Sequence, residues 1–212
     1  MVPTAVRLAR EFRVYAPDLP GFGHSSRPPH ALGLPALATV LASWMSAAGI
    51  ESAAMVGNSF GCQVIAEFGL RYPDRLARAV LQGPTIDGSA RTTIRQVGRF
   101  LRDLPRERIP EYAINVYDYW RTGLHRGWET MQIALADRIE EKLPRLPMPV
   151  LIVRGAGDPI VSQRWVEHLA ALLPNGRLII TRGAHTPNFS EPDSFVGTIR
   201  PFLRQTTEKR GL

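Results

Sequence analysis

Val56-Gly57-Asn58-Ser59-Phe60-Gly61 sets a serine between two glycines, at the junction of a short apolar run and a stretch of helical periodicity. The Gly-x-Ser-x-Gly spacing is that of a nucleophile elbow. A serine raised on a tight strand-to-helix turn needs small neighbours on both flanks, so that the two backbones can approach. The same turn sets the hydroxyl at a helix start, where backbone N–H groups stabilise negative charge. As a bare pattern it occurs by chance in many loops, so its surroundings decide its meaning.

Outward from the elbow, apolar strand-like runs alternate with helix-like stretches, which predicts an α/β fold with a mostly parallel sheet flanked by helices. Phe12 to Ala16 reads as a short strand closed by the glycine-rich turn Asp18 to Gly23. Leu34 to Gly49 reads as a helix, Ala53 to Gly57 as a strand, Phe60 to Arg71 as a helix and Ala77 to Gln82 as a strand. From Asp87 to Leu146 strand-like runs vanish, and the segment is arginine-rich, helix-periodic and aromatic. It predicts a helical insertion at 87–146 within a core of 1–86 and 147–212. Strands Val150 to Val153 and Arg177 to Thr181 then follow, with helices Gln163 to Leu173 and Asp193 to Leu203.

The chain has 212 residues, 44% of them hydrophobic and 21% charged, which suits one globular core with a small insertion. Its formal charge is +7, yet only Lys142 and Lys209 are lysines among 26 basic residues, and the arginines are scattered. No basic run interleaved with aromatics is present, so no nucleic-acid partner is expected. Cys62 is the single cysteine, which rules out an intrachain disulfide and the usual zinc spacings, and it reads as a buried packing residue. Met1 to Arg13 lacks the apolar core of a signal peptide, and no apolar run is long enough to span a bilayer. A cytoplasmic protein without a membrane partner is the expectation.

An elbow serine needs a base to take its proton and an acid to orient the base. Strand Val150 to Val153 runs into Gly155-Ala156-Gly157-Asp158-Pro159, and strand Leu178 to Thr181 into Gly183-Ala184-His185. In an open parallel sheet, groups beyond the carboxyl ends of the strands gather on one edge. Taken singly, Ser59 suits a helix N-cap, Asp158 a turn and His185 a loop. Taken together they read as a catalytic triad. Asp18 reads as a residue that bonds its own turn, and His24, His30, His125 and His168 as structural or solvated.

The order Ser59, Asp158, His185 resembles that of the α/β-hydrolase fold family. The turn Asp18-Leu19-Pro20-Gly21-Phe22-Gly23-His24-Ser25 is similar to the family's turn after its fourth strand, and 87–146 sits where the family inserts its cap. The resemblance implies Ser59 as nucleophile, His185 as general base, Asp158 as orienting acid and the Phe60 N–H as an oxyanion donor, with no cofactor and no metal. It also implies an N-terminally truncated version of the fold, because nothing before Phe12 corresponds to the family's first three strands or to its His-Gly-type oxyanion loop. The gap left beside the elbow strand is then expected to be closed, either by Phe12 to Ala16 pairing with Ala53 to Gly57 or by a strand from a second chain, as in a homodimer.

The expected activity is hydrolysis of an ester or related carbonyl substrate through an acyl-enzyme, weakened by the missing oxyanion donor. The Asn58-Ser59-x-Gly61 elbow with Tyr72-Pro73 resembles the meta-cleavage-product carbon–carbon hydrolases, although Thr186 stands where those enzymes commonly carry tryptophan. A non-catalytic ligand-binding hydrolase fold is the reading from another class. Trp120, Trp128 and Tyr117 are candidates for lining a substrate pocket under the cap, and packing of the cap's own core is the alternative for each.

Overall fold

Ala53–Asn58 (β1), Leu76–Gln82 (β2), Val150–Gly155 (β3) and Gly176–Thr181 (β4) pair in parallel in the order β1-β2-β3-β4. They belong to a computed structural model that describes residues 1–103 and 123–205. Val56 pairs with Val80, Val80 with Leu151 and Leu151 with Arg177, so the carboxyl ends of all four strands emerge on one edge. β3 is buried along its whole length, as expected of a strand covered on both faces.

Side-chain alternation divides the core. Ala79, Leu81, Val150 and Ile152 face one side, where Met45 of helix α2 (Leu34–Ala47), Phe68 of α3 (Phe60–Arg71) and Leu169 join them. Val80, Leu151 and Val153 face the other side, against Leu8 of α1 (Val2–Leu8) and Phe195, Ile199 and Phe202 near the C-terminus. Two apolar layers thus clamp the sheet. Among the described residues no helix is long and apolar enough to cross a membrane.

Between β2 and β3 the described residues are helical: a 3-10 turn at Gly88–Ala90, then α4 (Thr93–Asp103), α5 (Leu124–Ala136), α6 (Ile139–Lys142) and a second 3-10 turn at Leu143–Arg145. Ile139, Leu143 and Leu146 are fully buried in the first core layer. Lys142 Nζ bridges Glu67 Oε2 at 2.8 Å and Asp137 Oδ1 at 2.5 Å, and Arg91 binds Glu140 at 2.6 Å and the Asp137 carbonyl. Burial pushes the Asp137 carboxyl up, with the Glu67 and Glu140 charges acting in the same direction. These contacts tie both ends of the helical stretch to each other and its exit to α3. After β3 come α7 (Gln163–Leu172), then β4, α8 (Pro187–Ser190) and α9 (Pro192–Leu203).

Phe12 to Ala16 departs from its expected form. It is not a strand, and it does not close the edge of β1. Phe12 and Val14 pack against the second core layer, and Tyr15 meets Trp44 edge-on at 5.7 Å. These side-chain contacts hold the segment against the core without a backbone ladder to β1, and a stretch without a ladder partner does not become a strand. β1 therefore pairs only with β2 among the described residues.

At the elbow the two flanking glycines play different parts. A Cβ on Gly57 would lie 2.8 Å from the backbone C and O of Gly61 and 2.7 Å from Ile65 Cδ1. A Cβ on Gly61 would meet nothing within 4 Å. The close approach thus requires a bare Cα only on the strand side. Gly57→Ala is expected to lower unfolding free energy in urea by about 1–3 kcal/mol. Gly61→Ala is expected to leave it unchanged or raise it by up to about 1 kcal/mol; an equal loss in both variants would contradict this account of the turn.

Candidate active site

Ser59 stands between β1 and α3 with φ of 53°, a left-handed conformation that no other non-glycine residue adopts among the described residues. Such backbone costs of order 1–3 kcal/mol and persists where its surroundings enforce it. Here Ser59 N–H donates to the Gln82 carbonyl at 2.9 Å, which pins the turn to the end of β2. Ser59 precedes α3, but its hydroxyl does not cap the helix. The hydroxyl lies 3.4 Å from Thr85 Oγ1, and among the described residues it makes no hydrogen bond to His185. Phe60 opens α3, so its N–H belongs to the first turn, whose amides lack acceptors within the helix.

Asp158 follows β3 and is almost wholly buried. Its two oxygens divide the work. Oδ1 accepts the N–H groups of Ile160 at 2.8 Å and Val161 at 2.9 Å, which builds the turn; Oδ2 faces His185 Nδ1 at 2.9 Å. The turn role and the pairing role expected as alternatives are thus served by different atoms. A carboxylate on Nδ1 fixes the tautomer that leaves Nε2 as the basic nitrogen.

The buried Arg154 guanidinium wraps this loop, donating to the carbonyls of Val161 at 2.7 Å, Asp158 at 2.8 Å and Ala156 at 3.2 Å. Gly83, with φ of 55°, lies beneath the pair: a Cβ there would come within 3.0 Å of His185 Cε1 and 3.5 Å of Asp158 Oδ2. Asp87 ties the loop to α4, accepting from Arg99 at 2.8 Å and from Ser162 N–H at 3.3 Å. Burial opposes ionisation of Asp87, but hydrogen bonds from Ser162, Arg99 and Ser89 outweigh it and hold the carboxyl well below its usual range.

Gln82 joins the serine side to the histidine side. It is fully buried at the end of β2. Its Nε2 donates to the His185 carbonyl at 2.6 Å, and its Oε1 accepts from Asn58 Nδ2 at 2.7 Å. Asn58 Nδ2 also reaches the His185 carbonyl at 3.3 Å. Sequence reasoning passed over Gln82, Gly83 and Arg154, although a polar residue closing each of two apolar buried strands was a visible signal.

Of the expected pocket residues, Trp128 lies on α5 and is 56% exposed, while Tyr117 and Trp120 fall outside the described residues. Cys62 is fully buried, its thiol pushed up by burial, and it donates to the carbonyls of Gly57 and Gln82. Asp18 bonds its own turn through His24 N–H at 2.8 Å. His30 pairs with Glu129 at 2.9 Å and His125 with the same carboxylate at 3.6 Å, far out on the exposed surface.

Comparison with known proteins agrees with this architecture. A 2-hydroxymuconate semialdehyde hydrolase of Pseudomonas sp. (strain CF600) is 25% identical over 93% of this chain and 78% of its own length. A pimeloyl-[acyl-carrier protein] methyl ester esterase of Vibrio vulnificus is 27% identical over 92% of this chain and 86% of its own. The crystal structure of a hydrolase from Pseudomonas aeruginosa superposes with a TM-score of 0.76 at 24% identity, over 93% of this chain and 82% of that one. The model of the alpha/beta hydrolase family matches residues 2–198. With the parallel sheet, the elbow and the acid and histidine turns all on one edge, the chain belongs to the alpha/beta hydrolase family and is an enzyme of that hydrolase type.

Proposed function

We propose that the chain is a serine hydrolase that cleaves an ester or related carbonyl compound through Ser59, His185 and Asp158. The observation that carries this reading is the buried His185 Nδ1 to Asp158 Oδ2 contact of 2.9 Å, on the sheet edge where Ser59 holds its left-handed turn. Ser59 Oγ attacks the carbonyl carbon while His185 Nε2 takes its proton. The tetrahedral oxyanion accepts the Phe60 N–H. His185 then protonates the leaving alcohol, and a water activated by the same nitrogen hydrolyses the acyl-enzyme. Because the serine rests on Thr85, rotation about its Cα–Cβ bond brings Oγ to the imidazole when substrate binds. Residues 87–146 serve as a cap, with Trp128 offering apolar surface.

Carbon–carbon cleavage of a vinylogous diketone acid is the second reading, favoured by the similarity to the semialdehyde hydrolase. A panel of p-nitrophenyl acyl esters set beside such an acid separates the two by the bond that is broken.

A fluorophosphonate probe is expected to label the wild-type chain and not Ser59→Ala. Folded wild type that stays unlabelled would sink the catalytic reading in favour of a ligand-binding protein. Gln82→Met keeps volume but removes the bonds to His185 and Asn58. It is expected to lower kcat for p-nitrophenyl acetate by about tenfold to a hundredfold with KM little changed, because the base is displaced while the pocket is not. An unchanged kcat would show that Gln82 does not position His185.

A further inference from the structure

The loop that carries the acid is held from two sides. From the sheet, Arg154 takes the carbonyls of Ala156, Asp158 and Val161. From the other side the hold comes from α4, in the helical stretch inserted between β2 and β3. Arg99 Nη1 donates to the Ile160 carbonyl at 2.7 Å and to Asp87 Oδ2 at 2.8 Å, and its Nη2 donates to Ser89 Oγ at 3.1 Å. Asp87 Oδ2 also accepts the Ser162 N–H at 3.3 Å. Its Oδ1 accepts the N–H and the hydroxyl of Ser89, at 2.9 and 2.7 Å. The Asp87 side chain is 3% exposed and that of Arg99 20%, so the two form a largely desolvated charge pair with strong, directional hydrogen bonds.

Ile160 is where this clamp meets the chemistry. Its N–H donates to Asp158 Oδ1 at 2.8 Å while its carbonyl accepts from Arg99, so one residue lies between the arginine and the carboxylate. The other oxygen of that carboxylate holds His185 Nδ1 at 2.9 Å. A shift of Ile160 therefore turns the Asp158 carboxylate and, through it, the imidazole. We propose that Arg99 is a positioning residue for the acid–base pair, coupling α4, through Ile160 and Asp87, to the orientation of His185. The insertion is then part of the scaffold of the triad as well as its cover. The proposal rests on the reading of Asp158 and His185 as acid and base. A charge pair that pins α4 for folding, without bearing on Asp158, is the structural alternative.

The test compares Arg99→Met and Arg99→Lys in the full chain. One nitrogen of Arg99 makes both the Asp87 and the Ile160 bonds, so a lysine ammonium can take over the two, whereas methionine can take neither. Arg99→Met is expected to lower kcat for p-nitrophenyl acetate by at least about tenfold with KM little changed, and Arg99→Lys to recover most of it. The proton on His185 Nδ1, identified by its loss in His185→Ala, is followed by NMR. Its resonance is expected to move or vanish in Arg99→Met and to return in Arg99→Lys. Asp87→Asn/Arg99→Met, which leaves no unpaired charge buried, is expected to regain thermal midpoint over Arg99→Met but neither kcat nor the wild-type resonance. Folded Arg99→Met with wild-type kcat and resonance overturns the proposal. A double variant whose activity returns with its stability overturns it as well, and assigns the pair to folding alone. Wild type that takes no fluorophosphonate probe strikes at the catalytic reading instead, and the resonance then still reports whether Arg99 orients His185.

Discussion

A parallel sheet delivers four strand ends to one edge, but it does not fix how the loops beyond those ends face each other. The buried amide of Gln82 supplies that relation. Its main-chain carbonyl holds the Ser59 N–H, while its side-chain Nε2 holds the His185 carbonyl and its Oε1 holds Asn58 beside the serine. One buried residue, through backbone and side chain together, thus links the elbow to the histidine turn. Each of these bonds is worth roughly 1 kcal/mol net, yet losing one leaves a buried polar group unsatisfied at a cost of about 1–3 kcal/mol.

The two halves of the site differ in stiffness. On the acid side, Arg154 grips three carbonyls, Asp158 closes its own turn, and Gly83 lets β2 run close beneath the imidazole. On the serine side the backbone is fixed in a strained conformation, but the hydroxyl rests on Thr85. The hydroxyl is the least tied part of the site, with Thr85 Oγ1 at 3.4 Å as its contact.

The fold was legible because its signals are local. Runs such as Val150 to Val153 are apolar and buried on both faces, and the glycine-bearing turns after them mark strand ends. Phe12 to Ala16 was misread for the opposite reason: its strand-like pattern is real, but a ladder needs a partner, and Phe12 and Val14 are committed to the second core layer while Tyr15 meets Trp44. The two elbow glycines look equivalent in sequence, whereas space is tight only around Gly57, a distinction that depends on where Ile65 and the α3 backbone lie. The candidate serine, acid and base were visible because each follows a strand. Gln82 and Arg154 left only the trace of a polar residue closing an apolar strand, and the reach of Gln82 to His185, 103 positions away, was not legible.

The helical stretch between β2 and β3 is fastened at its base by Arg91, Asp137 and Lys142, and near the acid loop by Arg99 and Asp87. The central claim concerns the chemistry beneath it, that His185 makes Ser59 a nucleophile. The fluorophosphonate reaction rate of wild type and His185→Ala, measured side by side on folded protein, tests it most directly. The account predicts a rate lower by orders of magnitude in the variant, because the base that takes the Ser59 proton is gone. The same rate in both proteins would contradict it.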